Sequence, residues 1–216
     1  MSNEQDDLAT LAHIRSVMDR STRYLSLSGL SGVFAGIFAL TGALGAFLFL
    51  NSPRVATPYL QTVFNILGEP DVNVITFLIF DACIVLFASL AVCFFLTYRN
   101  AVKQDSDVWN NASRRLTINL LIPLIAGGVF CLILFLKGNA SLAAPAMLIF
   151  YGLALVNASK FTHDDIRTLG ILETILGLAA TVNLHYALIF WAIGFGVLHI
   201  VYGIVMYRKY EIVKED

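Results

Sequence analysis

Three ionisable side chains stand inside runs that are otherwise apolar: Asp81, Glu173 and His199. Carboxylates and imidazoles take and release protons, so these are the groups with chemistry to offer. Glu173 follows Arg167 by about 9 Å of helix, and His199 precedes Tyr207 by about 12 Å, at roughly 1.5 Å per residue. The turn between their two runs, Asn183-Leu184-His185, is short. The helices it joins must pack antiparallel as neighbours, which predicts that Glu173 and His199 face each other at similar depth. Asp81 lies about 10 Å from the opposite end of its own helix, so it shares that layer only if helices tilt or shift.

Three chemistries are open to this set. In the first, Glu173 and His199 make one interhelical hydrogen bond and Asp81 bonds a hydroxyl or the backbone. In the second, all three are steps on a proton or ion path. The third is a metal centre for hydrolysis, which needs three or four converging ligands. Only His185 and His199 lie in or beside the apolar runs, and about 20 Å of helix separates them. No metal ligand set is therefore expected and no cofactor, haem included. Trp191, Phe195, His199, Tyr202 and Met206 fall on one helix face, as helix packing or as the lining of a cleft. Trp191, Tyr202 and Tyr151 are the candidates for such a lining.

Signatures of an enzyme are missing: the sequence holds no GxSxG, HExxH, GxxxxGK or CxxC. Asp164-Asp165, between Lys160 and Arg167, reads as a solvated helix start, with Thr162 to Asp165 poised to cap the helix that follows. Cys83, Cys93 and Cys131 all sit in apolar runs and read as small core residues.

The elements that carry these residues are set by composition. Of 216 residues, 58% are hydrophobic and 13% charged, with a mean hydropathy of +0.76. Soluble domains carry about a quarter charged residues, so this balance predicts an all-α, polytopic integral membrane protein whose partner is the lipid bilayer. The net charge of −1 gives no basic field for nucleic acid. Six apolar runs match spanning helices of about 20 residues: 27–50, 74–98, 116–136, 142–158, 167–183 and 186–207. Residues 1–26 form an amphipathic segment and 208–216 a polar tail. The acidic opening, MSNEQDDLATLAH, does not resemble a cleavable signal. The 51–73 connector carries an apolar set too short to span. Pro123 should kink the third helix. The first is rich in small residues, and Gly32 and Gly36 suit close helix packing, within the chain or in a homo-oligomer.

Twelve basic residues fall on one side: Arg15, Arg20, Arg23, Arg99, Lys103, Arg114, Arg115, Lys160, Arg167, Arg208, Lys209 and Lys214. Only Arg54 and Lys137, of 14 in all, fall on the other. That asymmetry predicts that both termini face the cytoplasm. A repeat is also visible. Arg23, Arg115 and Arg167 open the outward helices. Leu-Ile-Phe recurs at 78–80, 148–150 and 188–190, followed by Asp81, Tyr151 and Trp191. The expected architecture is three hairpins in the same orientation.

The Gly-rich first helix ending in Asn51-Ser52-Pro53, and the run GFGVLHIVYG at 194–203, resemble the HdeD-like family of small bacterial membrane proteins. The resemblance spans roughly Tyr24 to Tyr207, and the chain departs from it in long connectors around Pro58 and Trp109. It implies a six-helix protein of the bacterial inner membrane linked to acid resistance and stress adaptation, and no particular reaction. From Asp81, Glu173 and His199 the expectation is that the chain moves protons or a small solute. The alternative is a non-transporting scaffold or sensor that binds a partner on its cytoplasmic face.

Overall fold

The computed structural model describes residues 23–25, 27–51, 72–103 and 109–212. The amphipathic segment read in 1–26 and the 51–73 connector lie almost wholly outside these residues, as does the end of the tail. Among the described residues there is no strand. Five main helices come first: α1 (Gly29–Leu50), α2 (Val72–Lys103), α3 (Asn111–Leu136), α4 (Ala143–Ala158) and α5 (Asp165–Val182). The sixth, α6 (Leu184–Ile212), opens with a 3₁₀ turn and changes pitch along its length. Ala192–Leu198 and Arg208–Ile212 are π-helical, whereas Ala187–Trp191 and His199–Tyr207 are α-helical.

Five stretches are long and apolar enough to cross a membrane: α1, Val74–Lys103 of α2, α3, Ala140–Phe161 around α4, and α6. The fifth helix is as long as a short span at 18 residues, but it contains Asp165, Arg167 and Glu173. Large apolar side chains point outward along the bundle. Phe87 is 69% and Phe94 68% exposed on α2. Soluble monomers rarely expose so much contiguous apolar area, and such a surface is compatible with a membrane protein.

Several helix ends differ from the apolar runs. The second helix continues past Tyr98 to Lys103, and the third begins at Asn111 rather than Leu116. Asn110 and Ser113 form a reciprocal capping box there, which starts the helix in polar sequence. The sixth helix continues past Tyr207 through Ile212. The third runs through Pro123 unbroken and ends in a Schellman turn. Gly138 takes a φ of 74° there, and the Asn139 and Gly138 amides bond the Leu134 and Phe135 carbonyls.

The expected cap of the fifth helix does not form. Asp164 occupies the cap position without a side-chain hydrogen bond. Its carboxylate binds Arg23 at 2.9 Å instead, and the Thr162 hydroxyl donates to the Tyr24 carbonyl at 2.9 Å. Asp165 accepts from Lys209 and Tyr210. The loop's polar groups are thus spent on the chain entering α1 and leaving α6.

In space α1 packs against α2 and α6, α4 packs against α3 and α5, and α6 touches α4 and α5. Small residues set the closest seams. A methyl group on Gly36 would overlap the Gly196 carbonyl and Ile200, and one on Gly32 would crowd the Gly203 Cα at 3.2 Å. Gly32 and Gly36 therefore face α6 within the chain. Gly152 and Gly170 play the same part between α4 and α5. Where apolar side chains have no water to avoid, such backbone contact is what holds helices together.

Candidate functional site

Glu173 is fully buried, with no exposed surface, at the middle of α5. The antiparallel neighbour α6 brings His199 to it, so that Nδ1 lies 3.4 Å from Glu173 Oε1. Nδ1 is closer to another oxygen, the Gly194 carbonyl on its own helix, at 3.0 Å. A carbonyl only accepts, so Nδ1 carries the proton and donates it there. The other ring nitrogen, Nε2, lies 2.8 Å from the hydroxyl of Tyr151 on α4. With the proton on Nδ1, Nε2 accepts from that hydroxyl.

Both imidazole nitrogens are thereby engaged, and neither makes a directed hydrogen bond to the carboxylate. Neither oxygen of Glu173 has a hydrogen-bond partner among the described residues. The 3.4 Å contact is not a hydrogen bond, and with Nε2 accepting, the imidazole beside the carboxylate is neutral. Around the carboxylate the walls are close and apolar. A methyl group at Gly194 would overlap Glu173 Oε2 and Leu148, so the glycine is what leaves the carboxylate room.

The π-helical turn sets this geometry. Gly194 and His199 are five residues apart, and the π segment Ala192–Leu198 lies between and around them. A π turn widens the helix and displaces backbone carbonyls from their usual partners, and such turns recur at functional sites. Here the imidazole is bonded to the carbonyl of that widened turn.

Chemically, the arrangement is a relay through one imidazole. A proton taken at Nε2 from the Tyr151 hydroxyl, which a further donor must then replace, and one given from Nδ1 to Glu173 Oε1 would move charge across the ring. The Nδ1–H is fixed in the ring plane, so the second transfer needs the imidazole or the carboxylate to shift until that hydrogen points at Oε1, an oxygen 0.4 Å farther off than the Gly194 carbonyl on the two distances above.

The chain matches no protein-family model, no curated protein and no solved structure. Function must therefore be argued from these side chains. Among the described residues no three His, Cys, Asp or Glu side chains cluster as a metal site would require.

Asp81 is not brought to this group. It is half-buried on α2 and faces α1 at Gly42 and Gly45. It lines a separate cavity of about 80 Å³ towards the end of the bundle that holds Asn51 and Lys137. Trp191 lines the same cavity, whereas Tyr151 and Tyr202 do not. Phe195 lies between the two regions. Its ring is 5.0 Å from Trp191 on one side and 4.9 Å from Tyr151 on the other. Tyr202 is half-buried farther along α6, beyond the His199 layer.

Residue types mark Tyr151 as a candidate cleft lining but not as the partner of His199, although a buried hydroxyl needs a partner. The Gly194 carbonyl leaves no mark in the sequence, since its availability depends on the pitch of α6.

Proposed function

We propose that this chain is a six-helix protein of the bacterial inner membrane, with both termini in the cytoplasm, that moves protons or a proton-coupled small solute through Tyr151, His199 and Glu173. One observation carries the proposal: a fully buried carboxylate beside an imidazole, with no hydrogen bond to either of its oxygens among the described residues. A carboxylate kept only for structure would be satisfied, because an unsatisfied buried charge costs several times what a typical hydrogen bond returns. One that must exchange a proton needs a nearby donor and no permanent one. Five apolar helices and the outward aromatic side chains support the bilayer as its place. The basic residues support the orientation, and the Leu-Ile-Phe repeat supports three hairpins in the same orientation. A role in stress adaptation rests on the resemblance to HdeD-like proteins alone. The relay does not route through Asp81.

A second reading is a non-transporting scaffold or sensor that binds a partner on the cytoplasmic face. What favours it is enclosure, since the cavity beside Trp191 is not lined by Glu173, His199 or Tyr151. Purified protein in liposomes with a pH-sensitive dye inside separates the two. Transport requires a pH-driven flux that Glu173→Gln and His199→Gln abolish while both variants stay folded. Flux that survives Glu173→Gln removes the relay, and wild-type protein with no flux above empty liposomes leaves the scaffold.

A further inference from the structure

The cavity at the Asn51 end has a composition of its own. It is walled by α1, α2, the end of α3, the start of α4 and the start of α6, through side chains such as Ala46, Leu78, Phe135, Ala144, Leu188 and Trp191. Among the described residues Asp81 is the one ionisable side chain in its lining. The backbone of α1 runs close beside that carboxylate: a methyl group on Gly42 would overlap Val85 and crowd Oδ2 at 3.2 Å, and one on Gly45 would stand in ordinary contact with Oδ1 at 3.6 Å. Among the described residues no hydrogen bond or ion pair to Asp81 is seen. An acid in an apolar wall with no partner among the described residues has room for a cation or a proton from outside.

The wall chemistry decides which cation. A metal ion surrenders its water only to several oxygen ligands, and this cavity presents one carboxylate among hydrocarbon. An organic ammonium suits both parts. Its N–H groups bond the carboxylate, its methylenes lie against alanine and leucine, and an aromatic ring such as Trp191 attracts its charge. We infer that the cavity between α1, α2, α4 and α6 binds the ammonium head and first methylenes of a primary alkylamine, with Asp81 as its counter-ion. The site is separate from the relay and stands whether or not the chain moves protons.

Trp191 provides the readout. The chain has two tryptophans, so Trp109→Phe leaves Trp191 alone. That protein, full length in neutral maltoside micelles, is titrated with octylammonium and in parallel with 1-octanol. Saturable change of Trp191 emission is expected with octylammonium, and binding at least tenfold weaker after Asp81→Asn, the loss that goes with one charge-assisted contact. Octanol should bind more weakly and equally to both proteins. Octylammonium that binds Asp81→Asn as tightly as its parent, or no better than octanol, overturns the inference, and so does an emission change that never saturates. Should Asp81→Asn fail to fold, Ala144→Leu fills the cavity from a half-buried position and leaves Asp81 in place. It must then abolish saturable binding, and binding that persists counts against the site.

Discussion

Glu173 is caught between two costs. Left ionised, it is a buried charge with no hydrogen bond, and removing the charge relieves about 1–3 kcal/mol. Removed altogether, it leaves a hole beside Leu148 and Gly194 that costs about 2 kcal/mol or more. Glu173→Gln should therefore unfold at the same temperature as the parent or higher, because it removes the charge and keeps the shape of the side chain. Glu173→Ala should unfold earlier. Thermal unfolding in detergent micelles ranks the three, and a large loss in the glutamine variant would mean that the charge contact with His199 holds the fold. Gly194→Ala tests the same spot from the other helix. Its methyl group would overlap the carboxylate and Leu148, and overpacking of this kind costs about 1–3 kcal/mol. A Gly194→Ala protein as stable as the parent would show that Glu173 moves freely. In the sequence, Glu173 and His199 are conspicuous because ionisable groups are rare in apolar runs. Their satisfaction is not, because it depends on which oxygen Nδ1 reaches first, a matter of tenths of an ångström.

At the scale of elements, helix cores were legible, as were the ends at Leu50, Leu136 and Ala158, but other ends were not. Apolar runs mark where a helix is buried, but backbone hydrogen bonds carry it past that point until a cap stops it. Hence α2 runs to Lys103, and α3 starts at its Asn110–Ser113 box. An extension of the same length is the π turn Arg208–Ile212 of α6, held by contacts with the 159–165 loop and the start of α1. Glu211 accepts from the Gly29 amide at 2.6 Å, and His163 stacks on Tyr210 with ring centroids 3.9 Å apart. Asp165 binds Lys209 at 3.0 Å and accepts from Tyr210 at 2.7 Å. Partial burial alone would raise the Asp165 carboxyl, but the hydrogen bonds from Tyr210 and Lys209 outweigh it and hold it below the usual carboxylate range. A carboxyl lowered in the folded state stabilises above its unfolded value of about 3.9 and loses that contribution as pH falls through the folded value. The turn should stay docked in mild acid and release only below about pH 4. A nitroxide at Ile212→Cys, with the native cysteines replaced, reports this as a sharp gain in mobility. Asp165→Asn should be mobile already at pH 7; equal mobility in the two proteins at pH 7 would show that Glu211 and His163 suffice.

The whole molecule is organised by what its surface touches, and that much is written in bulk composition. A chain with 13% charged residues cannot cover a bundle with polar side chains, so phenylalanines such as Phe87 and Phe94 end up outside. Helix neighbours were legible only where a turn is short, as between α5 and α6. The α1–α6 seam joins the two ends of the chain, and no local signal pairs Gly32 with Gly203. Orientation is a separate question, decided by charge at the helix ends. At the end that holds Asn51 and Lys137, the loops after α1, α3 and α5 contain only Arg54 and Lys137. At the other end Arg23 and Lys209 are anchored to the loop before α5, through Asp164 and Asp165. Basic residues near helix ends resist transfer across the membrane during insertion, so the crowded end is the one expected in the cytoplasm. A reporter active only in the cytoplasm should light up when fused at Asp216 and stay dark when inserted beside Arg54, and a periplasmic reporter should give the reverse. A periplasmic signal at Asp216 would mean an odd number of crossings or an inverted bundle. Fusions in the Lys160–Arg167 loop would then decide, since a cytoplasmic loop before α5 with a periplasmic tail leaves α5 and α6 with a single crossing between them. Glu173 and His199 could not then meet inside the bilayer, and the relay would fail with the topology.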